Sequence, residues 1–241
     1  MKSISQNKRE ARECLRGNWT PAVLASAVYA VISFLCISPS YLYPLTHPNY
    51  AQDLAYAMET NNISDLMGIY GGMSRLSSIS SLLYILVLNV LIVGFMSAFL
   101  KFYREKDTAI TRNMFNMAFK DYGHKILGMF LMGLFIALWT LLLIIPGIIK
   151  TFSYAMTPYI LNEYPSVGVN DSIDISRKMM KGHKLDLFLL ELSFIGWGIL
   201  CILTLGIGFL WLVPYMQTSL SIFYEDVKAE YIEKNGDMAL R

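Results

Sequence analysis

The apolar residues of this chain form long runs that contain no charge. The runs at 76–100, 126–149 and 192–224 hold no Asp, Glu, Lys or Arg. A helix of about 20 apolar residues crosses the hydrocarbon core of a bilayer, which is about 30 Å thick. The last run is too long for one such helix and too short for three, so it predicts a helical hairpin. The pattern predicts an all-α fold, a polytopic bundle of transmembrane helices.

Six spans account for these runs and for an earlier apolar stretch near the N-terminus. We predict them at 21–37, 79–100, 126–145, 149–161, 185–204 and 207–223. The fourth is the weakest, because it is short, begins beside Lys150 and contains Pro158. Tilted, re-entrant and bent-continuation geometries all fit it, so the choice between five and six spans stays open at 146–162.

Composition and charge support a membrane protein. Of the 241 residues, 55% are hydrophobic and 16% are charged, whereas soluble domains average about 25% charged. All of the 20 Lys and Arg except Arg75 and Lys150 fall within 1–20, 101–125, 163–184 or the tail after 223. Basic residues favour the cytoplasmic side of short loops. We therefore expect a multi-pass protein of the inner (plasma) membrane with both termini in the cytoplasm.

A short motif recurs where a basic stretch meets an apolar one. The three instances are Gly17-Asn18-Trp19, Gly123-His124-Lys125 and Gly182-His183-Lys184. The apolar segments that follow end in Phe102-Tyr103-Arg104-Glu105, Leu161-Asn162-Glu163-Tyr164 and Phe223-Tyr224-Glu225-Asp226, which we call the exit segments. Within a single integral membrane domain, 1–241, the pattern predicts three helix-pair repeats at 3–105, 107–164 and 168–226. The alternative is chance recurrence of a short Gly-polar step.

The stretches before these motifs are predicted to be amphipathic helices at the cytoplasmic interface. Ser3 and Gln6 form a capping-box pattern, and Ile110, Met114 and Ala118 share one helical face. In the third stretch acidic residues precede basic ones, which complements the helix dipole. Such helices attract anionic lipid head groups by about 1 kcal/mol per basic residue. The simpler interpretation is a topology signal.

The first repeat carries an extracytoplasmic insertion at 39–78. Pro39, Pro44 and Pro48 punctuate its tyrosine-rich start, and apolar residues follow. We interpret it either as short helices on the outer surface or as a partner-binding cap, and the residues favour neither.

Several segments carry a family likeness. They are Arg-Glu-Ala-Arg at 9–12, Leu-Arg-Gly-Asn-Trp at 15–19, Ser-Arg-Lys-Met-Met-Lys-Gly at 176–182, Phe-Ile-Gly-Trp at 194–197 and the stretch from 205 to 226. Through them the chain resembles an uncharacterised family of bacterial integral membrane proteins, a domain of unknown function. A fainter similarity runs to the membrane domain of glycerophosphodiester phosphodiesterases. The catalytic barrel of those enzymes has no counterpart here, so the resemblance implies a topology but no reaction.

No group of residues suggests catalysis, a metal or a cofactor. His47, His124 and His183 lie in separate segments without a partner at helical spacing, which argues against a zinc site. The three cysteines match no metal or redox spacing. No catalytic serine motif, phosphate loop or basic–aromatic patch for nucleic acid occurs. We therefore expect a protein that is not an enzyme and takes no cofactor.

Polar groups inside the predicted spans are the remaining functional leads, because burying a charge at the centre of a span costs roughly 2.5–3.5 kcal/mol. The candidate transport-path or helix-contact residues are Glu191, Asn89, Lys150 and Gln217. The candidate hinge or turn residues are Pro146, Gly147, Gly206, Gly208 and Pro214. We expect the Lys150 side chain to extend toward the outer surface.

The sequence thus predicts a non-enzymatic integral membrane protein that interacts with envelope lipids or with a membrane partner. The candidate partners are the bilayer itself, anionic lipid head groups and another membrane protein. The alternative is a small-solute or ion transporter or channel with Glu191 and Asn89 near its path. Loss of flux in a Glu191→Gln variant that still folds would favour the alternative.

Overall fold

The computed structural model describes residues 1–37 and 44–236, and in these ranges the regular structure is helical, without strands. The helices, in chain order, are α1 (Ile4–Leu15), α2 (Trp19–Ile37), α3 (Tyr50–Glu59), α4 (Ile63–Leu83), α5 (Asn89–Glu105), α6 (Ile110–Phe119), α7 (Tyr122–Leu142), α8 (Ile144–Tyr154), α9 (Thr157–Glu163), α10 (Val169–Met179), α11 (Lys184–Leu192), α12 (Ile195–Leu203) and α13 (Phe209–Asn235). A π-helical turn, Tyr84–Leu88, joins α4 to α5. The all-α prediction is confirmed.

Four helical runs of the described chain are long and apolar enough to cross a membrane. They are Trp19–Cys36, Ile63–Glu105, Tyr122–Leu142 and Lys184–Leu203. These runs overlap the first, second, third and fifth predicted spans. The fourth and sixth predicted spans do not meet the same criteria, for two different reasons.

The predicted span at 149–161 is divided between two short helices. α8 ends at Tyr154 and α9 begins at Thr157, so neither is long enough to cross a bilayer. The break follows from Pro158, which has no N–H to donate to the carbonyl of Tyr154. Proline is accepted in the first turn of α9, where the amide groups lack helical partners.

The predicted span at 207–223 has apolar surroundings only in its first half. It belongs to α13, which continues through Pro214 for 27 residues. Beyond Pro214 the side chains turn polar, with Gln217 and the fully buried Thr218 and Ser219. The charged helix α1 packs along this half, and Asn7 donates through Nδ2 to the carbonyl of Ser219 at 3.1 Å. The second half of the predicted span at 207–223 therefore contacts another helix of the protein.

The hairpin turns lie near the predicted glycines and prolines. Between α7 and α8 the chain reverses at Leu143, ahead of Pro146, because the first turn of α8 accommodates the proline. Gly147 lies where these helices approach most closely, since a Cβ on it would be 2.8 Å from the Cα of Thr140. Between α12 and α13 the chain turns at 204–208, where Gly206 has a φ of +87°.

The predicted amphipathic helices form as α1, α6 and α10, and the capping box at the start of α1 is confirmed. Each packs on a helix that leads into an exit segment. α6 lies on α5, where a Cβ on Gly94 would be 2.7 Å from the Cβ of Ala118. α10 lies on α8 and α9, and Ser176 donates to the carbonyl of Ser153 at 3.1 Å. α1 lies on α13. All three amphipathic helices therefore pack against other helices of the protein and do not serve only as interface helices.

The chain divides into two compact units, one formed by residues 1–29 together with Val90 onward, the other by residues 30–89. In the second unit α3 packs against α4, and the Tyr50 hydroxyl contacts the Met73 sulfur at 3.6 Å. Asn62 caps α4 by accepting from the Ser64 amide at 3.2 Å. Within the predicted insertion, 39–43 lies outside the described residues, and the remainder is dominated by α3 and α4.

Candidate functional site

The three exit segments meet in a cluster of charged side chains, the exit cluster, formed by Arg104, Glu163, Tyr224, Glu225 and Lys228. Arg104 pairs with the carboxylates of both Glu163 and Glu225. These three residues occupy the third position of their respective exit segments. Glu163 also accepts hydrogen bonds from the Tyr224 hydroxyl at 2.5 Å and from the Lys228 ammonium at 2.8 Å.

The exit cluster balances its own charges. Burial favours the neutral form of Glu163, but hydrogen bonds from Arg104, Lys228 and Tyr224 outweigh this effect and hold the pKa of the carboxyl below its usual value. The Tyr224 ring stacks on Tyr159 with centroids 4.5 Å apart, a contact worth about 0.5–1.5 kcal/mol. Two cations thus meet two carboxylates, an arrangement typical of a structural contact between helices.

A groove lies between α1, the start of α2 and the α12–α13 hairpin, with a volume of about 590 Å³. We call it the tryptophan groove, because it contains Trp19, Trp197 and Trp211, three of the four tryptophans of the chain. The other lining residues are Lys8, Arg12, Leu200, Cys201, Thr204, Gly208, Leu212 and Tyr215. Its lining contains two cations and no carboxylate.

The two cations lie on α1 at one end of the groove. The Lys8 ammonium donates to the carbonyl oxygen of Ser193 at 3.0 Å and to its hydroxyl at 3.1 Å, and lies 4.2 Å from the Phe194 ring centroid. The Tyr215 hydroxyl donates to the Lys8 carbonyl at 3.1 Å. Arg12 is exposed, and no described carboxylate pairs with either cation. Burial, together with the nearby Arg12 charge, lowers the pKa of Lys8.

A second cavity of about 380 Å³ lies beside α8 and α10 and contains Lys150. The Lys150 ammonium lies 4.5 Å from the centroid of the Trp139 ring. Arg177 and Asp174 line the same cavity and form an ion pair. We expected Lys150 on the surface opposite Arg177, but the two side chains share one cavity. The turn at Leu143, followed by the short α8, keeps Lys150 close to α10.

The other polar leads lie outside the tryptophan groove. Glu191 is exposed on α11, and no described residue pairs with its carboxylate. Asn89 is half-buried at the end of the π-helical turn, where its N–H donates to the carbonyl of Tyr84. The side-chain oxygen of Gln217 is buried without a described hydrogen-bond partner. Within residues 1–37 and 44–236, no three His, Cys, Asp or Glu side chains gather into a metal site.

Of the predicted hinge and turn residues, Gly208 lines the tryptophan groove and Pro214 does not. A Cβ on Gly208 would be 2.7 Å from the Cys201 sulfur. Pro214 is buried on α13, and Thr218 donates to its carbonyl at 2.8 Å. Sequence reasoning did not identify Lys8, Arg12 or the tryptophans as a group. The feature of the sequence that could have indicated this groove is the pair of tryptophans, one on each side of the 204–208 turn.

Comparison with protein families gives a match for part of the chain. Residues 140–231 match a family described as a protein of unknown function, DUF975. No match was found among curated proteins or among solved structures. The matched segment contains α12, most of α13 and most of the exit cluster, but neither α1 nor Arg104. Resemblance to a family of unknown function is thus confirmed for this segment.

Proposed function

We propose that the protein is a multi-pass protein of the cell membrane that binds a membrane lipid in the tryptophan groove, and that it is not an enzyme. The observation that carries the proposal is the groove, which joins three tryptophans and two unpaired cations beside an exposed apolar hairpin. Tryptophan is enriched where hydrocarbon meets head groups. The chemistry of the lining therefore matches that of a phospholipid.

Membrane insertion is supported by the apolar surface at two hairpin turns. Leu141 at the α7–α8 turn is 86% exposed, and Leu205 at the α12–α13 turn is 94% exposed. Their exposed neighbours include Leu142, Leu143, Ile144, Ile145, Leu203 and Ile207. Large exposed apolar patches mark sites of protein or membrane contact. The absence of charge from both turns favours the membrane.

An even number of crossings is supported by a contact between the two ends of the described chain. The Lys2 ammonium lies 3.4 Å from a carboxylate oxygen of Asp226, and the Lys2 amide donates to the other oxygen at 3.0 Å. Residues 2 and 226 must then lie on the same side of the membrane. Six spans satisfy this condition, as do the four candidate runs alone, whereas five spans do not. Together with the basic segments, this favours cytoplasmic termini.

Three helix-pair repeats also account for the packing of the helices. α6 packs on the end of the first repeat, α10 on the end of the second and α1 on the end of the third. The exit cluster then joins the three repeats at equivalent positions, Arg104, Glu163 and Glu225. In this arrangement α6 and α10 each pack on the repeat before their own, and α1 packs on the last repeat. α1 therefore lies beside the third hairpin, and this placement creates the tryptophan groove.

A lipid fits this groove better than a water-soluble ligand. Trp197 is 56% exposed and Trp211 is 49% exposed, and both lie on the hairpin whose turn carries Leu205. Once this hairpin is in the bilayer, the open side of the groove faces acyl chains. A lipid can enter sideways without leaving the hydrocarbon, and apolar burial is worth roughly 25 cal/mol per Å².

Native mass spectrometry of the full-length protein in mild detergent tests the proposal. We expect a phospholipid to stay bound to the wild type and to be lost from Leu200→Trp, which fills the groove. Leu203→Trp on the same helix is the matched control, because Leu203 is exposed and does not line the groove. If the wild type carries no lipid, or if both variants retain it equally, the groove does not bind lipid.

Transport is the second candidate function, and the unpaired carboxylate of Glu191 favours it. A charge in a candidate span is a common sign of a substrate or ion path. Flux through proteoliposomes that is abolished by Glu191→Gln, with the thermal midpoint unchanged, would support transport. Equal flux in wild type, Glu191→Gln and protein-free vesicles would oppose it.

A further inference from the structure

The tryptophan groove has a polar end and an apolar end. The polar end is at the level of Phe194 and Tyr215, which contact Lys8. The apolar end is the turn at Thr204 and Gly208, which both line the groove. At about 1.5 Å per residue, the helical path from 194 to 204 is about 15 Å long. Charge is therefore confined to one end of an elongated apolar surface.

The two cations at the polar end are adjacent and lack counter-charges. Lys8 and Arg12 are separated by one helical turn, so they share one face of α1. Lys8 is held by the neutral oxygens of Ser193, and neither cation pairs with a described carboxylate. Their mutual repulsion lowers the pKa of Lys8 in addition to the effect of burial. An anion placed between them would relieve this repulsion.

We propose that this end of the groove binds the phosphate of an anionic phospholipid, with Arg12 as the principal contact and Lys8 beside it. The proposal rests on the lipid-binding function proposed above and specifies the class of lipid. The acyl chains lie along Trp197, Leu200 and Trp211 toward the turn. A guanidinium can hold two phosphate oxygens at once. Because the lining contains no carboxylate, it offers no ion pair to the ammonium of a zwitterionic head group.

In the second cavity, the arginine at the corresponding position is neutralised by a carboxylate. Arg177 precedes Gly182 by the same number of residues as Arg12 precedes Gly17. Asp174, however, pairs with Arg177 and also with Lys178 at 2.8 Å. Arg12 has no such partner. Of these two cavities, the proposal therefore assigns the preference for an anionic lipid to the tryptophan groove.

Quenching of tryptophan fluorescence tests the proposal on full-length protein in detergent. The probes are phosphatidylglycerol and phosphatidylcholine with brominated acyl chains. We expect phosphatidylglycerol to bind the wild type at least about fivefold more tightly. Arg12→Gln should reduce that preference about five- to tenfold, as expected for the loss of one basic contact. Arg12 is exposed, so its replacement leaves the fold intact, and Lys8→Gln should act in the same direction.

Arg9→Gln is the matched control, because it removes the same charge from the same helix at a residue outside the groove. Arg177→Gln is the control for the second cavity. Both should keep the wild-type preference. Inorganic phosphate should not compete at millimolar concentration, since it cannot occupy the apolar part of the groove.

The outcomes separate the two proposals. Saturable binding of both lipids with equal affinity, unchanged in Arg12→Gln, overturns the head-group assignment and leaves lipid binding in place. Competition by inorganic phosphate assigns the cations to a free anion and overturns the assignment as well. Equal effects of Arg9→Gln and Arg12→Gln would attribute the lipid preference to general surface charge and would also overturn the head-group assignment. Absence of any saturable quenching overturns both proposals.

Discussion

Arg104 pairs directly with Glu163, although 59 residues separate them in the sequence. The same guanidinium pairs with Glu225, so helices from three parts of the chain are held at one point. Glu163 is the more enclosed partner, with a side chain that is 12% exposed. Of the two carboxylates of the exit cluster, Glu163 is therefore the one whose loss of charge should affect the architecture more.

Replacing Glu163 with Gln keeps the shape of the side chain but leaves Arg104 and Lys228 less balanced. Breaking a largely buried ion pair is strongly destabilising, and we expect a loss of about 2–3 kcal/mol in the free energy of unfolding. For a chain of this size, that lowers the thermal midpoint by roughly 5–10 °C. The measurement is thermal unfolding in detergent. Glu233→Gln, at an exposed position of α13, should leave the midpoint unchanged; equal midpoints for the two variants would contradict the role of the cluster.

Glu163 also makes stability depend on pH. The pKa of its carboxyl is lower in the folded protein than its ordinary value of 4.5. Its contribution is therefore present above the ordinary value and is lost as the pH falls through the folded value. We expect the thermal midpoint of the wild type to decrease between about pH 5 and pH 3, and to decrease less in Glu163→Gln. Parallel pH curves would assign the acid sensitivity to other carboxylates.

Gly94 allows α5 and α6 to pack closely, because it has no Cβ. A Cβ on Gly94 would collide with the backbone of α6, at 2.7 Å from the amide nitrogen of Ala118. We expect Gly94→Ala to destabilise the protein by about 1–3 kcal/mol through overpacking. Gly133→Ala on α7 is the control, because a Cβ there meets nothing within 4 Å. Thermal unfolding should separate the two, and a Gly94→Ala variant as stable as wild type would show that α6 does not pack on α5 in this way.

For the proposed membrane protein, the contact between Lys2 and Asp226 predicts that both ends of the chain lie on the same side of the membrane. A fluorescent reporter that matures only in the cytoplasm should be bright when fused to either end of the chain. Cysteines introduced at Leu141 or Leu205 should resist membrane-impermeant thiol reagents, because the proposed insertion of these exposed apolar turns places them at or within the bilayer. Fluorescence at the N-terminus alone would mean an odd number of crossings and would exclude the contact in the membrane-embedded protein.

Helical class and most helix positions were predictable, because charge-free runs of this length leave few alternatives. α7, at Tyr122–Leu142, lies close to the span predicted at 126–145. The fourth and sixth predicted spans are not confirmed, and hydropathy does not report the surroundings of a residue. Pro158 divided one predicted span, and α1 covers the second half of another, beside Ser219.

The tryptophan groove was not predictable from the same patterns. It combines Arg12 of α1 with Trp197 and Trp211 of a hairpin far away in the sequence. Taken alone, Arg12 looks like any cytoplasmic cation, and each tryptophan looks like an interfacial anchor. Only the packing of α1 on α13 brings them together. The exit cluster has the same origin, since the two pairing partners of Arg104 lie in the other two exit segments.

Photo-crosslinking in native membranes tests lipid binding in the groove most directly. The probe is phosphatidylglycerol with a photoreactive acyl chain, and the labelled peptides of the full-length protein are identified by mass spectrometry. The predicted result is enrichment of label between Trp197 and Trp211, with loss of that enrichment in Leu200→Trp. Label spread evenly over the exposed hairpin turns, including Leu141 and Ile145, with the same pattern in Leu200→Trp, would contradict the account.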